Sequence, residues 1–410
     1  MKTNKVLIIG RGGREHALAM KFSESAKVYV APGNVGMKNI AQLLDIEEND
    51  FPALIQFAKK ENIDLTFVGP EVPLVNGIVD EFEKESLTIF GPNKKAAQIE
   101  GSKDFAKKLM KKYNIPTAEY ETFKDIDKAY KYIQSKSAPY VLKADGLAAG
   151  KGVVIAQNLE EAKTTLKDML EENKFGKAGA KVIIEDFLEG TEFSFMALVN
   201  GKNVYPLELA KDHKLALDGD KGSNTGGMGA YSPVPLISEN TIQIAIKEIL
   251  QKTAEALIKE DCSFKGVLYA GLIDTKEGPK VIEFNARFGD PETEILLPRL
   301  KSDLFDIINK ISNGEEVELS WSEKASLGVV LASGGYPNKY ETGIPIEIGE
   351  TEGVTLYHCG TKLLGENLVT AGGRVLFITA KENDLDLARK KVYEEIKKIN
   401  FENMHYRKDI

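Results

Sequence analysis

Over the first hundred residues, short apolar runs alternate with stretches of helical spacing: KVLIIG, a helix from His16, KVYVAPG, a helix from Phe51, DLTFVGP, a helix from Leu74, and LTIFGP. Strand alternating with helix predicts a doubly wound parallel sheet, an α/β unit. Three of these strands run into glycine-containing turns at Gly10, Gly69 and Gly91. In open parallel sheets the ligand crevice lies at the carboxyl ends of the strands, so a small molecule is expected there.

The texture changes near residue 103. A lysine-rich helix, Lys103 to Tyr113, precedes PYVLKADGLAAGKGVVIA, in which two β-rich runs flank a glycine-rich turn and predict a hairpin, with a helix following from Leu159. KVIIEDFLEGTEFSFMALV (181–199) reads as two strands around a polar turn, and GVLYAGLIDTKEGPKVIEFNARF as a hairpin turning at Lys276 to Pro279. The middle of the chain is therefore expected to be α+β with antiparallel pairing. From about 326, short β-like runs (LGVVLAS, GRVLFITA) and a last amphipathic helix, Asp384 to Ile399, predict a small α+β unit.

Length and composition fit this multidomain picture: 410 residues at about 150 per domain, with 42% hydrophobic and 28% charged residues, lie in the globular range. Lysine plus arginine (54) against aspartate plus glutamate (62) gives a net charge of −8, which argues against nucleic acid or an anionic membrane as partner. Two cysteines, Cys262 and Cys359, are too few for a disulfide framework or a cysteine-rich metal site. Val6 to Ile9 is too short for a signal-peptide core and no 18-residue apolar stretch occurs, so a cytoplasmic location is expected.

Several motifs carry chemistry. GRGGREHAL (10–18) follows a strand and opens a helix, so its first N–H groups are placed to hold an anion, or the glycines serve only a tight turn. Glu15 stands where a dinucleotide fingerprint needs its third glycine, and no acidic residue ends the next strand, which disfavours a nicotinamide enzyme. DGLAAGKG (145–152) is not a P-loop, because only three residues separate Gly146 from Gly150 and Gly152 occupies the Ser/Thr position. As a glycine-rich hairpin with Lys151 at its tip and Lys143 on the preceding strand, it suits a triphosphate, or is a solvated surface turn.

In VIEFNARFGDPE (281–292), strand alternation predicts Glu283 and Asn285 on one face and Ile282 and Phe284 on the other. Two oxygen donors so spaced suit a hard cation that completes its shell with water and phosphate. Arg287 and Asp290 in the following turn serve a transferred phosphate and an amine, or form a structural ion pair. The long polar segment from Lys211 to Pro233 contains His213, for which a structural role outweighs acid/base work. In IEDFLEGTE (184–192), backbone groups near Phe187 and Leu188 offer edges to an adenine and Glu192 an acceptor to ribose, against the plainer reading of a solvated acidic turn.

Taken together, GRGGREHAL, PGNVG (32–36), GPEVPLVNGIVD (69–80), DGLAAGKGV, DHK, NTGGMGAYSP (224–233) and NARFGDPET closely resemble the phosphoribosylamine–glycine ligase family of purine biosynthesis. They occur in the family's order over essentially the whole chain. The resemblance implies an ATP-grasp enzyme with an N-terminal substrate-binding domain (1–101), a lid subdomain with its linker helix (102–190), a central ATP-grasp domain (191–325) and a C-terminal domain (326–410). It implies ATP with magnesium or manganese as cofactors, glycine and 5-phosphoribosylamine as substrates, a monomer, and ligation through glycyl phosphate.

Carried over by motif, Lys103, Lys143, Gly150, Lys151 and Gly152 would meet the nucleotide phosphates, Glu185, Phe187 and Leu188 the adenine, and Glu192 the ribose. Glu283 and Asn285 would hold the metal. Gly12, Gly13, Asn34, Gly36 and Glu71 would receive phosphoribosylamine, while Asp212, Gly226, Gly227, Arg287 and Asp290 would line the glycine site. Arg287, Lys143, Asp212 and Asp290 form the implied catalytic set. Leu215, where the family is expected to have arginine, and Glu294, in place of glutamine or methionine, depart from the pattern. The alternatives are another ATP-grasp carboxylate–amine ligase or carboxylase, and a non-catalytic nucleotide-binding protein, for which loss of Glu283, Asn285 or Lys151 would be expected.

Overall fold

The computed structural model of the chain describes residues 3–147, 152–172 and 181–410. The first unit is a parallel five-stranded sheet in the spatial order Gln42–Leu43, Ala26–Pro32, Asn4–Gly10, Leu65–Val68, Ile89–Phe90. Its central strands carry near-continuous apolar runs, VLII and VYVA, because both faces are covered. Val6, Ile8, Val30 and Phe67 turn toward the main core of the molecule, while Leu7, Ile9, Tyr29 and Val68 pack on Leu54, Ile78 and Phe82 of the outer helices. Strand order reverses between Asn4–Gly10 and Leu65–Val68, and that is where a doubly wound sheet opens its crevice.

Two helix starts differ from the sequence expectation. The first helix runs Gly13–Ser23 rather than from His16, because the Glu15 carboxylate folds back and accepts the Gly12 N–H at 2.6 Å. That N–H, expected to be offered to an anion, is taken by the chain's own carboxylate. The helix expected from Leu74 is two short ones, Glu71–Asn76 and Ile78–Lys84, broken at Gly77 in the left-handed region (φ 98°).

The second unit is an antiparallel sheet ordered Tyr120–Phe123, Val182–Asp186, Tyr140–Ala144, Val153–Ala156, packed on helices Ile126–Gln134 and Leu159–Leu170 through Leu142, Ile184, Ile133 and Leu166. The expected glycine-rich hairpin is formed by the last two of these strands. The third sheet, Asn203–Pro206, Thr191–Asn200, Lys265–Thr275 and Gly278–Asn285, is also antiparallel. The two strands read around the polar turn at 187–190 thus belong to different sheets, and that turn joins the two lobes.

The C-terminal sheet is Lys211–Asp212, Gly229–Ser232, Ala325–Ala332, Arg374–Glu382, Thr355–His358, covered by helix Leu385–Ile396. Its first two strands come from the central segment, so the ends of the 213–228 loop are built into it. Among the described residues, no helix is long and apolar enough to cross a membrane.

Candidate functional site

The carboxyl ends of the parallel strands, the lid sheet and the edge of the central sheet face one another across a continuous cleft of about 460 Å³. At its lid end a single carboxylate organises two lysines. Lys143 and Lys107 reach Glu185 at 2.9 and 2.8 Å, with all three side chains 4% exposed or less. Lys143 also donates to the Ile282 carbonyl at 2.8 Å, bridging the lobes, and Lys107 donates to Thr117 Oγ1 at 2.8 Å. Burial draws the Lys107 pKa down to about 8 despite the opposing pull of Glu185. Lys103 donates to the Gly146 carbonyl at 3.2 Å, holding the start of the glycine-rich turn, and Gly152 lines the cleft; Gly150 and Lys151 lie outside the described residues. Phe187 is exposed just past the strand that carries Glu185, with Leu188 half-buried beside it, whereas Glu192 lines a small adjoining recess with Asp212 and Lys214.

The metal-type pair is on the wall of the cleft, but by a different geometry from simple alternation. A bulge pairs Leu272 with Val281 and Gly271 with Glu283, skipping Ile282. Val281 and Phe284 therefore point into the core, and Ile282, Glu283 and Asn285 all face the cleft. Lys214 stands 3.3 Å from Glu283 Oε1. Its charge, aided by Lys103 and Lys143 against the cost of burial, holds the Glu283 carboxyl down at about 2. Burial alone would lower the Lys214 pKa, but Glu283 and its other neighbours raise it well above normal.

Arg287 and Asp290 do not pair with each other; each finds a separate partner on another part of the fold. Arg287 reaches Glu100 at 2.9 Å and Glu71 at 3.4 Å, both outside the central sheet, and donates to Asn285 Oδ1 at 3.3 Å. Burial opposes the guanidinium charge, but Glu100 and Glu71 outweigh it and the Arg287 pKa rises. Glu100 is itself fixed by the Ala286 N–H at 2.7 Å. Asp290 reaches Arg374 of the C-terminal sheet at 3.0 Å, and Arg374 also donates to the Gly226 carbonyl at 2.6 Å. Gly227 (φ 110°) is required: a Cβ there would lie 2.6 Å from Asp212 Oδ1. Burial and the nearby Glu292 push the Asp212 pKa well up. Glu292 accepts from Ser194 at 2.8 Å and Tyr269 at 2.5 Å.

Of the N-terminal turns, the one at Pro70 and Glu71 lines the main cleft, while Gly12, Gly13, Asn34 and Gly36 adjoin it without being among its lining residues. Asn34 accepts the Gly36 N–H at 2.9 Å and donates to the Arg11 and His358 carbonyls, both at 2.7 Å. Gly36 lies under the His358 ring, and Gly13 lies against Glu294 and Cys359. Arg14, at the start of the first helix, lines the cleft beside Glu71. Glu294 is fully buried, and burial together with Asp290 pushes its pKa well up. His213 is drawn down to about 4 by burial and Arg407, so its ring is neutral near pH 7.

Sequence reasoning passed over Arg14, Glu100, Lys107, Lys214 and Arg374. Two of these carried a signal. Lys107 is one helical turn beyond Lys103, and Lys214 is the third residue of the DHK motif. Arg14 sits within GRGGREHAL, where the pattern reads only as a turn. Glu100 and Arg374 have no local pattern, since their partners are 187 and 84 positions away.

Three family models together span nearly the whole chain: phosphoribosylglycinamide synthetase N domain over residues 4–100, ATP-grasp (A) domain over 101–293 and C domain over 326–410. The chain is 56% identical over 410 residues to the phosphoribosylamine–glycine ligase of Halalkalibacterium halodurans, covering 99% of this chain and 96% of that one. It is 48% identical to that of Escherichia coli O157:H7 over 99% of this chain and 97% of the relative. The crystal structure of the Thermotoga maritima phosphoribosylamine–glycine ligase superposes with a TM-score of 0.88 at 36% identity, over 99% of this chain and all of that one. A biotin carboxylase from Campylobacter jejuni shares the fold at 15% identity and a TM-score of 0.77, over 98% of this chain and 93% of that one. The chain belongs to the phosphoribosylamine–glycine ligase family, ATP-grasp ligases of purine biosynthesis.

Proposed function

We propose that this chain joins glycine to 5-phosphoribosylamine in two steps within the one cleft. A glycine carboxylate oxygen attacks the γ-phosphorus of ATP, releasing ADP and leaving glycyl phosphate. The amine of phosphoribosylamine then attacks the glycyl carbonyl carbon, phosphate departs with the former carboxylate oxygen, and the amine gives up a proton, leaving glycinamide ribonucleotide.

Phosphoryl transfer needs positioning and charge neutralisation more than a protein nucleophile. Lys143, anchored between the lobes by Glu185 and Ile282, supplies positive charge to the triphosphate, with Lys103 beside the glycine-rich turn. Backbone at Phe187 and Leu188 takes the adenine, and Glu192 the ribose. Arg287, locked by Glu100 and Glu71, faces the transferred phosphoryl group. Asp212 and Asp290, with Gly226 and Gly227, orient the glycine amine and keep the acyl group in place. Gly12, Gly13, Asn34, Gly36 and Glu71 receive phosphoribosylamine at the switch point of the parallel sheet.

The family's ATP-grasp domain works with ATP and a divalent metal, and the donors here fit one. Glu283 is held ionised and shares the cleft wall with Asn285, an oxygen pair suited to magnesium or manganese. When bound, the cation neutralises charge on the triphosphate.

The observation that carries the reading is the meeting of Lys143, Glu283 and Arg287 on one cleft between three units of the fold. It is tested by ADP release from the purified protein with ATP and magnesium, supplying glycine and fresh phosphoribosylamine together and then omitting each. Turnover that needs both is expected. ATP consumption indifferent to both, or none, would move the assignment to another carboxylate and amine.

A further inference from the structure

The residues that face Glu283 and Arg374 across the cleft, Lys214 and Gly226, sit at the two ends of a hairpin formed by Leu215–Leu217 and Lys221–Asn224. This hairpin is a separate two-stranded sheet. Such a hairpin is marginal in water unless something else holds it. What grips it here is a segment almost two hundred residues away, His405–Ile410, which is itself bridged to strand Ala325–Ala332 through the Ala332 and His405 backbones.

The grip is dense. Arg407, 1% exposed, donates to the Leu215 carbonyl at 3.1 Å and to Asp220 Oδ1 at 2.8 Å, while Asp409 receives its Nε and Nη2, each at 2.8 Å. Asp409 in turn accepts the Gly219 N–H at 2.7 Å. His405 bonds the Ala216 carbonyl at 2.7 Å, and the Lys408 N–H donates to Asp218 at 2.8 Å. Every residue from 215 to 220 except Leu217 is thereby tied to this segment. The guanidinium is central, since it contacts both the first strand and the turn of the hairpin and orients the carboxylate that holds the turn. Only a planar, multi-donor fork makes these contacts together.

We propose that Arg407, braced by Asp409, is a positioning residue for the ligation: it fixes the hairpin so that Lys214 meets Glu283 and Gly226 meets Arg374. The inference rests on the reading of this end of the cleft as the place where glycine is activated. The lysine cluster of the nucleotide end, Lys103, Lys107, Lys143 and Glu185, has no bond to the hairpin among those described. That end meets the hairpin only through Lys214 on the metal-site carboxylate Glu283, whereas the glycine end meets it through Gly226 on Arg374, which also holds Asp290, so the glycine end responds more strongly when the brace is cut.

The test uses the full-length protein with Arg407→Lys, Arg407→Ala and Asp409→Asn. The glycine KM is expected to rise about tenfold or more in Arg407→Ala with the ATP KM changed less than about threefold, and Arg407→Lys to fall between Arg407→Ala and wild type. Amide hydrogen exchange at 215–220 is expected to speed up about tenfold or more in all three variants, with the lid strands unchanged. The exchange measurement needs no substrate, so it tests the brace even if the wild type fails the omission assay above. Unchanged exchange at 215–220 overturns the brace. Faster exchange with an unchanged glycine KM, or equal increases in both KM values, overturns its role in the reaction. If Arg407→Ala does not fold, Asp409→Asn, which keeps the guanidinium, carries the same comparisons.

Discussion

Removing the Glu185 charge is the sharpest perturbation of the lid end. Glu185→Gln leaves two ammonium groups, Lys107 and Lys143, buried with no carboxylate between them, where the native distances are 2.8 and 2.9 Å. Breaking a buried pair by removing one partner costs about 3–5 kcal/mol. An escape route limits the loss. With Lys107 already at about 8, giving up its proton at pH 7 costs about 1.4 kcal/mol in the native protein, and less once Glu185 no longer favours the charge. A loss near about 3 kcal/mol is therefore expected, roughly a 150-fold fall in amide protection along Val182–Asp186, the strand that carries Glu185.

The pH dependence has a definite sign. In the unfolded chain the Lys107 amine titrates at about 10.4, above its folded value, so protonation favours the unfolded state. The variant's folded value drops below that of the native protein, so its extra deficit grows as pH falls through 8 and shrinks toward about pH 9.5, where the folded-state amine is neutral in both proteins. Native-state hydrogen exchange at about pH 7 and 9 measures both effects. Protection within about threefold of wild type at pH 7 would refute the claim that one carboxylate holds both lysines.

Glu283→Ala should abolish metal-dependent turnover while leaving thermal unfolding within a few degrees of wild type; near-normal activity would remove Glu283 from the metal site. Glu100→Gln removes the charge that fixes Arg287 at 2.9 Å, and kcat should fall about tenfold to a hundredfold with the ATP KM little changed, as steady-state kinetics would show. His16 and His358, whose pKa values burial lowers to about 3 and about 4, stay neutral where they join the N-terminal helix to the C-terminal sheet. Their depressed values leave stability intact above about pH 6.5, and it is lost as pH falls from there toward 4 while the unfolded chain takes up protons. Calorimetry across that range should show the loss, and His16→Asn should lessen it by one histidine's share, since His358 and His213, also drawn down to about 4, still contribute.

The outlines of the fold were legible because the signals were local. Unbroken apolar runs such as VLII announce strands buried on both faces, and Asn158 and Asp384 cap helices where the pattern begins. Spacing alone put Glu283 and Asn285 on one face, and both line the cleft. The bulge that brings Ile282 beside them was not, because it depends on the register with Gly271 across the strand pair. The first helix starts early because Glu15 doubles back to its own turn, a detail that helical periodicity does not carry. The partners of Arg287 and Asp290 were hidden for a deeper reason. Glu100 and Arg374 come from distant segments, and only the assembled units bring them within reach. The same holds for the departure at Leu215, whose carbonyl rests on Arg407 of a remote segment.

The central claim is that glycine is activated as an acyl phosphate, and oxygen transfer tests it most directly. Glycine labelled with 18O in both carboxylate oxygens is turned over with ATP, magnesium and phosphoribosylamine, and the released phosphate is examined by mass spectrometry. The account predicts one labelled oxygen in each phosphate formed, passed from the carboxylate when the amine displaces it. Glycinamide ribonucleotide formed with unlabelled phosphate would contradict it.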